Sequence, residues 1–262
     1  MLLAIDVGNS SVTTALASAG ALGRPRRMAT VPDAPHDLLA DGLDELLAAD
    51  GAAPGRLAGI SLASVVPTLT AGVEAYAARH GIPLLVASHA TVPIPVRVDD
   101  PASVGADRLV DAYAAGRLHG TPAVVLDLGT ATTLEAVGTD GAYLGGPIAP
   151  GLELGLEALA RGTALLPRVE ARLPEKAIAT NTVEAIRAGA VLGHRELAAG
   201  LLRLVRGELA DATGIPPARI VAIATGGLAA APWVAGIEGV DVVDPALLLK
   251  GLVELWGEVG PS

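Results

Sequence analysis

The sequence predicts an α/β protein made of two repeated halves, and three observations carry that prediction. One short pattern occurs twice, as Leu3-Ala4-Ile5-Asp6-Val7-Gly8-Asn9-Ser10 and as Val125-Leu126-Asp127-Leu128-Gly129-Thr130-Ala131-Thr132. Asp6 and Asp127 stand 121 residues apart, about the size of one domain. Candidate strands and helices alternate through both halves. The 262 residues are 51% hydrophobic with a mean hydropathy of +0.52, which suits two cores around well-buried sheets.

Each copy of the pattern is a small apolar run that ends in Asp-x-Gly and a hydroxyl residue. The run reads as a buried strand, and the glycine allows a tight turn with close backbone approach. The amides and hydroxyls of Gly8, Asn9 and Ser10, and of Gly129, Thr130, Ala131 and Thr132, then suit phosphate oxygens, while Asp6 and Asp127 suit a hydrated cation. An alternating stretch follows each copy, Val12 to Leu16 and Leu134 to Val137. Turn signals come next, Ala19-Gly20 and Thr139-Asp140-Gly141, so both halves open as strand, turn, strand. A repeated phosphate loop predicts a nucleotide in the cleft between the halves, which divide at residues 1–118 and 119–262, with the last helix free to pack back on the first half.

In the first half, leucines 38, 39, 43, 46 and 47 fall at helical spacing within Asp37 to Ala49. Ala58 to Pro67 reads as a buried strand and its exit, Gly72 to His80 as a helix, and Pro83 to Val86 as a short strand. Val92 to Pro101 is an extended, proline-punctuated connection before a helix that starts near Ser103-Val104-Gly105-Ala106-Asp107-Arg108. The second half repeats the scheme, with strands at Ala123 to Leu126, Leu134 to Val137 and Ile220 to Ala224. Its helices fall near Leu152 to Ala160, Thr182 to Leu192 and Arg195 to Ala210. Strand Ile220 to Ala224 runs into Gly226-Gly227, a glycine pair at a strand's carboxyl end, where open α/β sheets bind ligands and where a flat adenosine ring or phosphate approaches the backbone. The same pair also serves as a plain turn.

Composition excludes several functions. A formal charge of −10 and 2% aromatic residues argue against a nucleic-acid surface, which needs clustered cations and stacking rings. Without cysteine there is no disulfide framework, thiolate nucleophile or zinc-cysteine site. The histidines at 36, 80, 89, 119 and 194 lack ligand spacing and read as surface or capping residues. The apolar start at Met1 to Ile5 is cut off by Asp6 and has no basic flank, so it is not a signal peptide, and no run reaches membrane-spanning length. A cytoplasmic protein is expected.

Asp107 and Arg108 have two readings. In one they belong to a solvated helix turn, with Arg108 pairing to Asp111 three residues on. In the other, Gly105 and Ala106 leave the Asp107 carboxylate open to a small ligand, where it accepts a hydroxyl proton while Arg108 steadies a transferring phosphoryl group.

Taken together, six motifs resemble type III pantothenate kinase in order and spacing from end to end. They are Asp6-Val7-Gly8-Asn9-Ser10, Gly105-Ala106-Asp107-Arg108, Asp127 to Thr133, Gly145-Gly146-Pro147-Ile148-Ala149-Pro150-Gly151, Asn181-Thr182-Val183-Glu184 and Ala224-Thr225-Gly226-Gly227-Leu228. The resemblance implies duplicated actin-like, ribonuclease H-like domains of the acetate and sugar kinase superfamily. It also implies a homodimer with the acceptor pocket at the interface, and transfer of the γ-phosphoryl group of ATP to the primary hydroxyl of pantothenate at the start of coenzyme A synthesis. Mg²⁺ and a monovalent cation, K⁺ or NH₄⁺, are implied as cofactors. By motif position Asp6 and Asp127 would organise metal and phosphates, Asp107 would be the general base, and Arg108 would bind acceptor or phosphate. Thr182 from the neighbouring subunit would touch the acceptor, near Val98, Gly105 and Ala106. Independently, Asn181 with Glu184 reads as a capping box for the following helix.

The chain departs from the family pattern near the acceptor. Ser10 and Ser11 replace the usual Thr and Asn. Val98 and Asp100 replace an aromatic residue and a neutral amide, and Ala179-Thr180 stands where Gly and a basic residue are common. These changes support a second reading, a kinase of the same fold with another small hydroxylated acceptor. A third, a noncatalytic accessory relative, would show a damaged phosphate loop or a lost Asp107, and the sequence keeps both.

Overall fold

In the computed structural model, residues 1–31 and 36–261 are described, and the side chain of His36 lies outside the described part. The chain forms two compact units, one from Met1–Leu118 with the chain from Ala246 onward, the other from His119–Pro245. In chain order the first unit holds strands β1 (Leu2–Val7), β2 (Ser11–Ser18), β3 (Ala21–Leu22) and β4 (Arg26–Ala29), then helix α1 (His36–Ala49). Strand β5 (Gly59–Ser64), helix α2 (Pro67–His80), strand β6 (Leu84–Val86) and helix α3 (Ala106–His119) follow. The second unit holds β7 (Ala123–Leu128), β8 (Ala131–Val137), β9 (Ile148–Pro150), α4 (Leu152–Gly162), α5 (Thr182–Arg187), α6 (Gly193–Thr213), β10 (Val221–Thr225) and β11 (Val242–Val243). Helix α7 (Leu247–Val259) belongs to the first unit. No helix among the described residues is long and apolar enough to cross a membrane.

The two sheets share one plan. In the first the order is β3-β2-β1-β5-β6, with β4 also on β2; in the second it is β11-β10-β7-β8-β9. Each is centred on the strand that carries the Asp-x-Gly pattern. That strand runs antiparallel to the next one (β1 with β2, β7 with β8) and parallel to a later one (β1 with β5, β7 with β10). Burial of both faces of these central strands accounts for the unbroken apolar runs Leu2–Ile5 and Ala123–Leu126, all buried.

Helices cover the sheets through the leucines read from the sequence. Leu39, Leu43 and Leu47 of α1 join Leu69, Val73 and Tyr76 of α2 over Leu3, Ile5 and Val7 of β1. Leu43 is fully buried, and its truncation to alanine would cost about 2–5 kcal/mol. Helix α7 lies on β1 and β5, and Gly59 is demanded there because a Cβ would stand 2.0 Å from the Trp256 ring. In the second unit Leu152 and Leu156 of α4, Val191, and Ala198 and Leu202 of α6 close over Leu126, Leu128 and Leu134.

Three details differ from the sequence reading. The helix expected from Gly72 starts at Pro67, whose fixed φ and missing N–H suit a first helical turn. The edge strands β3, β4, β9 and β11 escape a periodicity reading because they are two to four residues long. The two helices expected on either side of residue 193 are one helical run, in which the π-helical segment Ala188–Leu192 joins α5 to α6.

Candidate active site

Each Asp-x-Gly pattern sits at the carboxyl end of its unit's central strand, where β1 turns into β2 and β7 into β8. In the first unit Val7 pairs with Val12, leaving residues 8–11 as the loop, closed by a Gly8 N–H donating to the Ser11 carbonyl at 3.0 Å. A residue absent from the sequence reading holds this loop from outside. Thr30 donates its hydroxyl to the Gly8 carbonyl at 2.6 Å and its N–H to the Ser10 carbonyl at 3.1 Å. No local motif marks Thr30; the edge strand β4, paired to β2, brings it there.

Asp6 and Asp107 come together in this unit. The Asp6 carboxyl is pushed up to about 7, first by burial and then by the Asp107 charge, with Arg27 opposing. Asp107 lies in the first turn of α3, and one of its carboxylate oxygens accepts the Arg108 N–H at 2.8 Å. Its carboxyl is also raised, mainly by burial, against the lowering effects of that hydrogen bond and of the Arg108 charge. Gly105 makes room for it, since a Cβ there would stand 2.4 Å from an Asp107 oxygen. Asp111 is buried at 2% exposure while Asp107 and Arg108 are half-buried, so this segment is not a fully solvated turn.

The second loop is one residue shorter. Leu128 pairs with Thr132, leaving 129–131, closed by the Gly129 N–H donating to the Ala131 carbonyl at 3.0 Å. Gly151 donates to the Thr130 carbonyl at 3.1 Å, and a Cβ on Gly151 would stand 2.4 Å from that same oxygen. Gly226, at the end of β10, has φ +93° and would place a Cβ 2.0 Å from Asp127 Oδ1. The Leu228 N–H donates to the Leu128 carbonyl at 3.0 Å, so the Gly226-Gly227 turn is held against β7, the strand that leads into the second loop. Gly8 and Gly129 themselves have no left-handed φ, and a Cβ would meet only ordinary contacts, at 3.4 Å from the Ser11 carbonyl and 3.5 Å from the Ala131 carbonyl. Turn strain therefore does not account for these two glycines, whereas it does for Gly226.

Two residue readings are corrected, that of His194 and that of the Asn181–Glu184 capping box, and the acceptor-side residues take their places beside them. His194 is neither a surface nor a capping residue: it is 8% exposed, 2.9 Å from the Thr132 hydroxyl, with its ring edge-on to Trp233 at 5.8 Å. Asp100 is exposed and accepts the Ala102 N–H at 3.1 Å, capping the turn Pro101–Ser103. Val98 is half-buried in the connection before that turn. Thr182 is exposed at the start of α5, and Asn181 caps the helix by accepting the Glu184 N–H at 3.0 Å. The Glu184 carboxylate turns forward to Arg187 rather than back to close a capping box.

The architecture, two α/β units of one plan, is the duplicated actin-like fold. Over 98% of both chains it matches a Campylobacter jejuni protein assigned to the Baf family of transcriptional activators, with a TM-score of 0.61 at 16% identity. It also matches the activator of 2-hydroxyisocaproyl-CoA dehydratase from Clostridium difficile, solved with bound ADPNP, with a TM-score of 0.53 at 12% identity over 98% of this chain and 95% of that one. Within that fold the chain belongs to the type III pantothenate kinase family, whose profile matches residues 2–204. The type III pantothenate kinase of Thermomicrobium roseum is 42% identical over 87% of this chain and 86% of its own. That of Phenylobacterium zucineum is 36% identical over 98% and 97%.

Proposed function

We propose that this protein transfers the γ-phosphoryl group of ATP to the primary hydroxyl of pantothenate, giving 4'-phosphopantothenate at the start of coenzyme A synthesis. The observation that carries the chemistry is the Asp6–Asp107 pair. Asp107 is a half-buried carboxylate with a raised proton affinity at the first turn of α3, the character a general base needs to take a hydroxyl proton. Asp6 stands close enough for the Asp107 charge to raise it further.

In this reading the acceptor hydroxyl loses its proton to Asp107 as its oxygen attacks the γ-phosphorus and the bond to the β-phosphate oxygen breaks. Arg108 steadies the charge on the transferring group. The loop amides and hydroxyls of Gly8, Asn9 and Ser10, and of Gly129, Thr130 and Ala131, hold phosphate oxygens, while Thr132, expected among them, is buried with its hydroxyl turned to His194 and supports the loop from behind. Gly226 and Gly227 face the adenosine side, while Val98, Gly105, Ala106 and Thr182 line the acceptor. Asp6 and Asp127 are the residues to hold Mg²⁺. Among the described residues no three His, Cys, Asp or Glu side chains form a metal cage, and a metal shared between one or two carboxylates and substrate phosphates needs none. When bound, Mg²⁺ neutralises charge on the phosphate oxygens. A monovalent cation, K⁺ or NH₄⁺, assists, and the reaction takes place in the cytoplasm.

The acceptor contact through Thr182 requires a homodimer. Ala185, Gly189 and Gly193 form an exposed stripe along the α5–α6 run, and a Cβ on either glycine would meet nothing within 4 Å. A shallow cavity of about 230 Å³ lies along it, edged by the exposed Leu159 and Leu197. Small residues at this spacing let a second helix approach closely. A coupled assay with ATP, Mg²⁺, K⁺ and a panel of hydroxy acids tests the acceptor, and light scattering at assay concentration tests the dimer. Faster turnover of an uncharged alcohol than of pantothenate would replace the acceptor, and a fully active monomer would remove the shared pocket.

A further inference from the structure

We infer that His194 is a positioning residue for the second phosphate loop, acting through the hydroxyl of Thr132. The inference rests on the reading of that loop as the ATP site.

Thr132 is the first residue after the loop. Its backbone pairs with Leu128 on one side and Ala149 on the other, so its placement sets the exit of residues 129–131. Its side chain is 1% exposed, and the hydroxyl lies 2.9 Å from His194 Nε2. His194 is in the first turn of α6 and is separated from Thr132 by 62 positions in sequence. Around the pair the core is apolar: Leu128, Leu134, Leu152, Val191, Ala198 and Trp233.

A polar pair in such a place needs a reason. Burying an imidazole and a hydroxyl costs free energy unless each satisfies the other, and two apolar residues of the same shape would pack at no such cost. What the pair supplies is direction. An apolar contact tolerates a shift of half an ångström, whereas a hydrogen bond fixes both distance and angle. The ring is itself immobilised by its edge-on contact with Trp233, 3% exposed, and burial holds its pKa below the ordinary histidine value, which favours the neutral form. The bond therefore ties the start of α6, immediately after the π-helical segment Ala188–Leu192, to the strand that issues from the phosphate loop. The other brace on this loop, the Gly151 N–H on the Thr130 carbonyl, holds the tip, and His194 holds the exit.

The test is a mutant cycle with Thr132→Val, His194→Phe and the double variant, read by ATP affinity from calorimetry and by steady-state kinetics, with melting temperatures alongside. Each single change should weaken ATP binding about tenfold, while the Michaelis constant for pantothenate moves less than about twofold. The double variant should be no worse than the poorer single one, because both remove the same bond. His194→Gln, which keeps a polar atom near the position of Nε2, should recover most of the loss and also serves if the phenylalanine variant does not fold. Unchanged ATP affinity in Thr132→Val and His194→Phe, or equal losses for both substrates that follow the melting temperature, would overturn the inference. Wild-type protein that binds ATP but ignores pantothenate overturns only the acceptor assignment, since calorimetry still judges His194; wild-type protein that binds no ATP overturns both.

Discussion

The two Asp-x-Gly loops are near copies in sequence and occupy the same place in two sheets of the same plan, yet their surroundings differ in kind. The first, residues 8–11, lies beside a second carboxylate: burial and then the Asp107 charge raise Asp6, and Thr30 ties the loop down. The second, residues 129–131, is hemmed in by backbone: Gly151 touches its tip, Gly226 leaves no room beside Asp127, and His194 grips its exit. Duplication thus preserved the strand and the turn, while the neighbours diverged. In the first loop the surroundings tune charge, and in the second they fix shape.

The largest effects should come from the carboxylates. Asp6→Asn and Asp127→Asn should each lower turnover by about a thousandfold or more, and Asp107→Asn by about 10²- to 10⁴-fold, or roughly 3–5 kcal/mol in the barrier, with ATP affinity little changed in the last. Steady-state kinetics with a folding check by circular dichroism measures this. Near-normal turnover in the Asp6 and Asp127 variants, with unaltered Mg²⁺ dependence, would remove the phosphate-site assignment.

Glycine substitutions separate shape from access. Gly226→Ala should destabilise the fold by about 2–4 kcal/mol, because it meets both a left-handed backbone and the Asp127 oxygen. Gly8→Ala and Gly129→Ala should melt within a few degrees of the parent, because their added methyl groups meet only ordinary protein contacts, and yet lose ATP affinity if the proposed phosphate site is right. Differential scanning calorimetry paired with ATP titration decides it; equal destabilisation at all three sites would erase the distinction.

Thr30→Val should cost about 1 kcal/mol and raise the Michaelis constant for ATP about fivefold, since it removes the Thr30 hydroxyl's tie to the Gly8 carbonyl. An unchanged constant would mean that the Ser10 backbone bond alone sets the loop.

The last expected effect is a pH dependence centred on Asp6. Asp6 binds its proton more tightly folded, at about 7, than unfolded, near 3.8. Its contribution to stability is therefore fully present below about pH 4 and is lost as pH rises through about 7. In ligand-free protein, Asp6→Asn should gain melting temperature relative to the parent between pH 5 and 8. Parallel profiles for the two proteins would show that Asp6 titrates normally.

The sequence by itself determined the duplication, the strand-turn-strand opening of both halves, the helix leucines that bury over β1, and the place of Asp107 at a helix start cleared by Gly105. All of these are local: a period of two or 3.6, a turn residue, a spacing of a few positions. Only the tertiary structure decided which residues brace the loops. Thr30 reaches Gly8 across 22 positions, His194 reaches Thr132 across 62, and Gly226 stands against Asp127 because β10 pairs with β7 in one register. A histidine in the first turn of a helix, a threonine after an edge strand and a glycine after a buried strand carry no local sign of their partners. Such contacts are set by how strands and helices pack, and that packing depends on the whole core at once rather than on any window of the chain.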